Sequence, residues 1–149
     1  MAGRVRLNDH IPFLLYRLAS QLSIEANAQF KALGVNTLSS RVLLVLLTGE
    51  AATVGDLSTI TAIDQSTLSH ILIRLCRNGL TIKRKEGRDS RIVNVRLTAK
   101  GRKVARRCRE IGLQFAEITT ASMTAGQKED LRGMLKDMYR NLVAATHEG

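Results

Sequence analysis

Positive charge is concentrated in one stretch of this 149-residue chain. Residues 74 to 109 hold fourteen of its twenty-three Lys and Arg residues against two acids, Glu86 and Asp89, a local balance of +12. The whole chain is +10, so everything outside sums to −2. Charge focused in this way attracts a polyanion. The run Gln65, Ser66, Thr67, Ser69, His70, Arg74 and Arg77 leads into the stretch, short polar groups followed by bases, a mixture suited to hydrogen-bonding base edges in a major groove. Arg84, Lys85, Arg88, Asp89 and Arg91 form a second charged group shortly after.

Catalytic chemistry has no comparable grouping. His10, His70 and His147 are far apart, and none stands at zinc-ligand or nucleophile-activating spacing. There is no phosphate-cradling Walker loop and no dinucleotide fingerprint. No catalytic residue, metal ligand or cofactor is therefore expected. Cys76 and Cys108 are too few for a disulfide scaffold. Both fall on apolar helix faces, where a free cysteine acts as a small hydrophobe. Arg107 and Arg109 beside Cys108 leave thiolate-based oxidant sensing as the alternative.

The elements that must position these residues are legible from caps and periodicity. Thr53-Val-Gly-Asp56 opens a short helix running to Ile60, with the Thr hydroxyl as cap and Asp56 favoured at the positive helix end. Asp64 caps the next helix. Its Leu68, Ile71, Leu72, Leu75 and Cys76 share one side, Ser66, His70, Ile73 and Arg77 face outward, and Gly79 ends it. Two helices so arranged form a helix-turn-helix. The period then changes from 3.6 to 2. Leu80 to Lys85 and Ile92 to Leu97 read as strands joined by Glu86-Gly-Arg-Asp-Ser-Arg91, a hairpin whose tip carries Arg88 and Arg91. On such a finger Arg91 is expected in a minor groove. Arg84, Lys85 and Arg88 are expected on phosphates, with Asp89 orienting the tip through Arg91 or Arg74.

These residues carry a resemblance. Asp64-Gln-Ser-Thr-Leu-Ser-His70, Arg74-Leu75, Asn78-Gly79-Leu80, Asp89-Ser-Arg91 and Leu97-Thr-x-x-Gly101 together resemble the MarR family of winged-helix transcriptional regulators, over nearly the whole chain. At His70 the sequence departs from the many members that carry Arg. The resemblance implies a homodimer on pseudo-palindromic double-stranded DNA, acting as a repressor released by a small ligand such as an aromatic acid or its thioester. It also implies a ligand crevice lined by the first two helices and the start of the fifth. On this chain that points to His10, Phe13, Tyr16, Arg17, Phe30, Ser39, Ser40 and Arg41, with an arginine available for a carboxylate and Tyr16 for a polar substituent.

The rest of the chain fits a mainly α architecture with a small β-hairpin wing, an α+β fold in a single domain over residues 1–149. A helix from Asp9 or Pro12 to about Ala32 has Ile11, Leu14, Leu15, Leu18, Leu22 and Phe30 near one stripe, with Gly34 as its stop. Thr37 to Leu47 is apolar on most sides and should be buried. Thr98 caps a helix to about Thr120, and Thr124-Ala-Gly-Gln127 is a capping-box pattern opening the last helix. A winged-helix lobe is thus expected over residues 37–98, flanked at 1–36 and 99–149 by helices whose apolar stripes call for a second copy of the chain. No apolar run reaches the length of a membrane span, and the N-terminal residues lack the form of a signal peptide, so a soluble cytoplasmic protein is expected. Five aromatic residues offer little stacking surface, which favours duplex DNA over single strands. A basic architectural DNA- or RNA-binding protein without an effector is the competing reading, and it leaves the helix-turn-helix and wing unexplained.

Overall fold

The computed structural model describes residues 6–49, 53–85 and 93–147. It divides into two compact units, residues 1–115 and 116–149. In the first unit a 3-10 turn at Leu7–Asp9 leads into α1 (Ile11–Lys31), followed by α2 (Thr37–Thr48), α3 (Val54–Thr61), α4 (Gln65–Arg77), β1 (Thr81–Lys85), β2 (Val93–Leu97) and α5 (Ala99–Thr119), whose last turn enters the second unit. The second unit consists of that turn and α6 (Ala125–His147).

The helix starts follow from their caps. Pro12 sits in the first turn of α1, where its missing N–H has no helical partner to lose. The Asn36 side chain accepts from the Ser39 amide at 2.9 Å to open α2, while the backbone and hydroxyl of Thr37 both donate to Asn27 Oδ1 at 2.8 Å, joining α1 to α2. Thr53 accepts from the Asp56 amide at 3.1 Å and donates its hydroxyl to the Asp56 carboxylate at 2.6 Å. Ahead of α6 the Gln127 side chain accepts from the Thr124 amide at 2.9 Å while Thr124 Oγ1 accepts from the Gln127 amide at 3.2 Å, the reciprocal bonding of a capping box.

One core holds the first unit together. Val42 and Leu43 of α2, Leu57 of α3 and Leu68, Leu72 and Leu75 of α4 are fully or almost fully buried, joined by Val95 of β2 and by Ala105, Cys108 and Ile111 of α5. The two strands pair antiparallel with Thr81 opposite Leu97 and Lys85 opposite Val93. An isolated antiparallel bridge also links Thr53, just before α3, to Asn94 of β2, so the start of the helix-turn-helix is fastened to the hairpin.

The tightest point is where α4, the hairpin and α5 meet. Gly79 takes a left-handed φ of +70°, ending α4 and turning the chain into β1. Across this turn the Thr98 amide donates to the Leu80 carbonyl at 3.0 Å and the Thr98 hydroxyl to the Gly79 carbonyl at 2.6 Å. The same hydroxyl accepts from the Gly101 amide at 2.9 Å, capping α5. Lys100 Nζ donates to the Asn78 carbonyl at 3.0 Å. A Cβ on Gly101 would lie 1.9 Å from the Leu80 carbonyl oxygen, so only glycine lets the first turn of α5 approach this closely.

That contact yields a paired prediction. Gly101→Ala should lower unfolding free energy by about 3 kcal/mol, because backbone rather than a mobile side chain has to move. Gly112→Ala, in the same helix with open space around it, should raise it by about 0.5–1 kcal/mol by relieving the helical cost of glycine. Urea unfolding of both variants checks the pair, and a Gly101→Ala variant as stable as the parent would refute the close packing.

Candidate nucleic-acid interface

The basis of the site is a helix with two unlike sides. Leu68, Ile71, Leu72 and Leu75 fix α4 in the core, and the opposite side leaves Gln65, Ser66, Ser69, His70, Ile73, Arg74 and Arg77 exposed, with Thr67 half-buried. Asp64 caps α4 by accepting from the Thr67 amide at 2.8 Å. The Thr67 hydroxyl, and next its amide, hold the Asp64 carboxyl below its ordinary value of 3.8. The turn from α3 is also bound by side chains: Ser58 donates to the Ile63 carbonyl at 2.7 Å and Arg41 to the Thr61 carbonyl at 2.5 Å. Between them Ala62 takes a left-handed φ of 53°, strained for a residue with a Cβ. The turn therefore depends on its surroundings, and those surroundings aim α4.

The outward groups differ in what they can offer. The Ser69 hydroxyl donates to the Gln65 carbonyl at 2.8 Å, which leaves its lone pairs to accept from an incoming amino group. Ser66 and His70 have no hydrogen-bond partner among the described residues and can donate or accept. Ile73, half exposed, adds an aliphatic surface of the kind that packs on a thymine methyl. Arg74 and Arg77 stand at the negative end of the helix, where positive charge is favoured. Arg74 also donates to Ser39 Oγ, fully buried in α2, at 2.9 Å. The partners lie 35 residues apart, and no spacing signal announces the bond.

In the hairpin Arg84 is exposed on β1 opposite Asn94, and Lys85 ends the strand. Arg88, Asp89 and Arg91 lie outside the described residues.

Of the candidate effector-site residues, His10, Tyr16 and Arg17 are exposed and Phe13 is half-buried at the start of α1, where Arg17 donates to Asn8 Oδ1 at 3.4 Å. Phe30 belongs to the core. Ser39 and Ser40 are buried in the first turn of α2 beside Arg41, and Ser40 donates to the Thr37 carbonyl at 2.8 Å. The polar atoms of Ser39, Ser40 and Arg41 are thus engaged within the protein. A cleft of about 300 Å³ between the end of α1 and the middle of α5 is lined by Gln29, Ala32, Leu33, Arg107, Glu110, Ile111 and Gln114, none of them in the expected set. Burial pushes the Cys108 thiol up to about 11, so it stays protonated at neutral pH, as core packing requires and thiolate sensing does not. Cys76 is half-buried, its sulfur 3.3 Å from the Thr81 hydroxyl. Among the described residues no group of three His, Cys, Asp or Glu could hold a metal ion, and no helix is long and apolar enough to cross a membrane.

The chain is similar to known proteins over most of its length. No family model matches it. It is 23% identical to the HTH-type transcriptional repressor IacR of Pseudomonas putida, over 92% of this chain and 82% of that protein. A MarR-family transcriptional regulator from Silicibacter pomeroyi superposes with a TM-score of 0.82 at 25% identity, covering 95% of each chain. The chain has the MarR-family fold. MepR of S. aureus, crystallised as a DNA complex, superposes with a TM-score of 0.81 at 18% identity over 89% of this chain and 98% of that one. The MarR fold accounts for the order of elements: α3 and α4 form the helix-turn-helix, and β1 and β2 the wing, as the sequence patterns anticipate.

The Asp64 cap predicts a pH dependence. A carboxyl held low in the folded state contributes stability above its unfolded value, and that contribution disappears as pH falls through the folded value. Asp64→Asn keeps an acceptor for the Thr67 amide but does not titrate. The difference in melting temperature between wild type and Asp64→Asn at pH 6 should shrink as pH drops well below 3.8. A difference independent of pH would show that charge contributes nothing to the cap.

Proposed function

We propose that this protein is a sequence-specific, double-stranded DNA-binding transcriptional repressor that acts as a homodimer on a pseudo-palindromic operator in the cytoplasm and is released by a small ligand. The observation that carries the reading is α4: one side locked into the core, the other presenting Gln65, Ser66, Ser69 and His70 at its amino-terminal end with Arg74 and Arg77 behind. Short hydrogen-bonding groups at that end suit a groove floor, and guanidinium groups behind them suit the phosphates. Similarity to IacR, a repressor, and to the MepR–DNA complex supports it.

Dimerisation is supported by apolar faces left uncovered on the single chain. In α1, Ile11 (58% exposed), Leu14, Leu15 and Leu18 recur at helical spacing; in α6, Met134, Leu135, Met138 and Leu142 (65%) do the same. Stripes of this size on both terminal helices suit an interface between copies. Two copies would also set two α4 helices against successive turns of one duplex, which a pseudo-palindrome requires. An aromatic acid or its thioester is the effector class we propose, following the family resemblance. A thermal-shift screen of such compounds tests it, with loss of DNA binding as the confirming readout.

Selection of bound duplexes from a random library should return a two-fold-related consensus with half-sites about 10 bp apart. Ser66→Ala and His70→Ala should each reduce discrimination between that consensus and scrambled DNA by about 1–3 kcal/mol while changing scrambled-DNA affinity little. Fluorescence anisotropy on both duplexes reads this directly. Equal weakening on both would place these side chains on phosphates and remove their reading role.

A further inference from the structure

The charge on α5 runs against the helix it belongs to. The amino end of a helix carries partial positive charge and favours acids, yet α5 has no acid in its first turn and bears Lys100, Arg102 and Lys103 there. No acid occurs between Thr98 and Arg109. Arg102, Arg106 and Arg109 recur at intervals of four and three, so they form one exposed column flanking the buried face of Gly101, Ala105, Cys108 and Ile111. Arg107 is paired with Glu110, whereas the three arginines of the column have no ion pair among the described residues. From residue 102 to 109 the exposed side chains are all Arg or Lys. The surface therefore lacks the apolar centre of a protein–protein contact.

We infer that the Arg102–Arg106–Arg109 face of α5 is a second phosphate-binding surface, taking duplex DNA backbone beyond the half-site read by α4. The inference rests on the DNA-binding reading above and extends it. Continuity supports the occupant: Lys100 and Thr98 bond the Asn78 and Gly79 carbonyls, so the column begins where the base-bearing end of α4 stops. From Arg102 to Arg109 a helix rises about 10 Å, which matches about three base-pair steps of duplex at ~3.4 Å each. Contacts of this kind add affinity and footprint and carry no sequence preference.

The test compares two duplexes: the selected consensus alone, and the same consensus with one helical turn, about 10 bp, of random sequence on each side. Affinities are measured from 50 to 200 mM salt for wild type and for the triple variant Arg102→Gln, Arg106→Gln, Arg109→Gln. For each protomer that engages three flanking phosphates, the magnitude of the wild-type salt slope should be greater by about 2.7 on the flanked duplex, roughly a fortyfold larger loss across that range. The triple variant should bind the bare consensus like wild type and lose the steeper slope on the flanked one. It should melt no lower than wild type, because removing bases from the positive helix end relieves repulsion. A wild-type slope that does not change with the flanks, or equal losses by the variant on both duplexes, overturns the inference. Failure of wild type to bind even the bare consensus identifies the parent reading as the one at fault, and this inference falls with it.

Discussion

The close approach of α5 to the Leu80 carbonyl is the constraint on which the functional unit depends. At that point the end of α4, the first strand of the wing and the start of α5 lie against one another, and the absent side chain of Gly101 makes room. Thr98 fastens the junction by donating its hydroxyl to the Gly79 carbonyl and accepting from the Gly101 amide in the first turn of α5. For the DNA-reading role proposed for α4, helix and wing need a fixed relation, because a displacement of about 1 Å is enough to misalign a hydrogen bond. Here the relation is set by backbone contact, which is stiffer than packing between side chains.

The same economy governs α4. Its buried leucines come from the same turns as its outward polar residues, so burial of one face aims the other without further machinery. The turn before it contains a strained Ala62 and is held by side chains of α2 and α3 on its carbonyls. Arg74 extends this scheme, since its guanidinium is bound to Ser39 in the first turn of α2. The start of α2 is joined in turn to α1 through Asn27 and Thr37. A polar path thus runs from α1 through α2 to α4, across the region where the family resemblance puts the effector.

The distribution of charge divides the labour. Bases exposed on α4 form one group, whereas Arg102, Arg106 and Arg109 of α5 form a separate column with no ion pair among the described residues. The apolar stripes of α1 and α6, with Ile11, Leu14 and Leu18 on one and Met134, Met138 and Leu142 on the other, are the surfaces we propose for another copy of the chain. On the proposed function, basic and apolar surfaces serve different partners and do not compete for the same residues.

Much of the fold is written locally. Caps at Thr53, Asp64, Thr98 and Thr124 act over three residues, so Ser/Thr/Asp followed by a free amide identifies each helix start from sequence. The change of period at Leu80 marks the hairpin, whose strands fall within one residue of the expected bounds. The residues α4 turns outward were legible for the same reason, since burial of Leu68, Ile71, Leu72 and Leu75 leaves their helical complement exposed. Three features are decided by tertiary structure alone: the Arg74–Ser39 bond, the Thr53–Asn94 bridge and the fit of Gly101 against Leu80. Each joins positions about 20 to 40 residues apart, and sequence periodicity carries no information about which distant groups meet once the core closes. Periodicity could mark Arg74 as outward on α4 and Ser39 as near the start of α2; only the packing of those two helices brought the hydroxyl to the guanidinium.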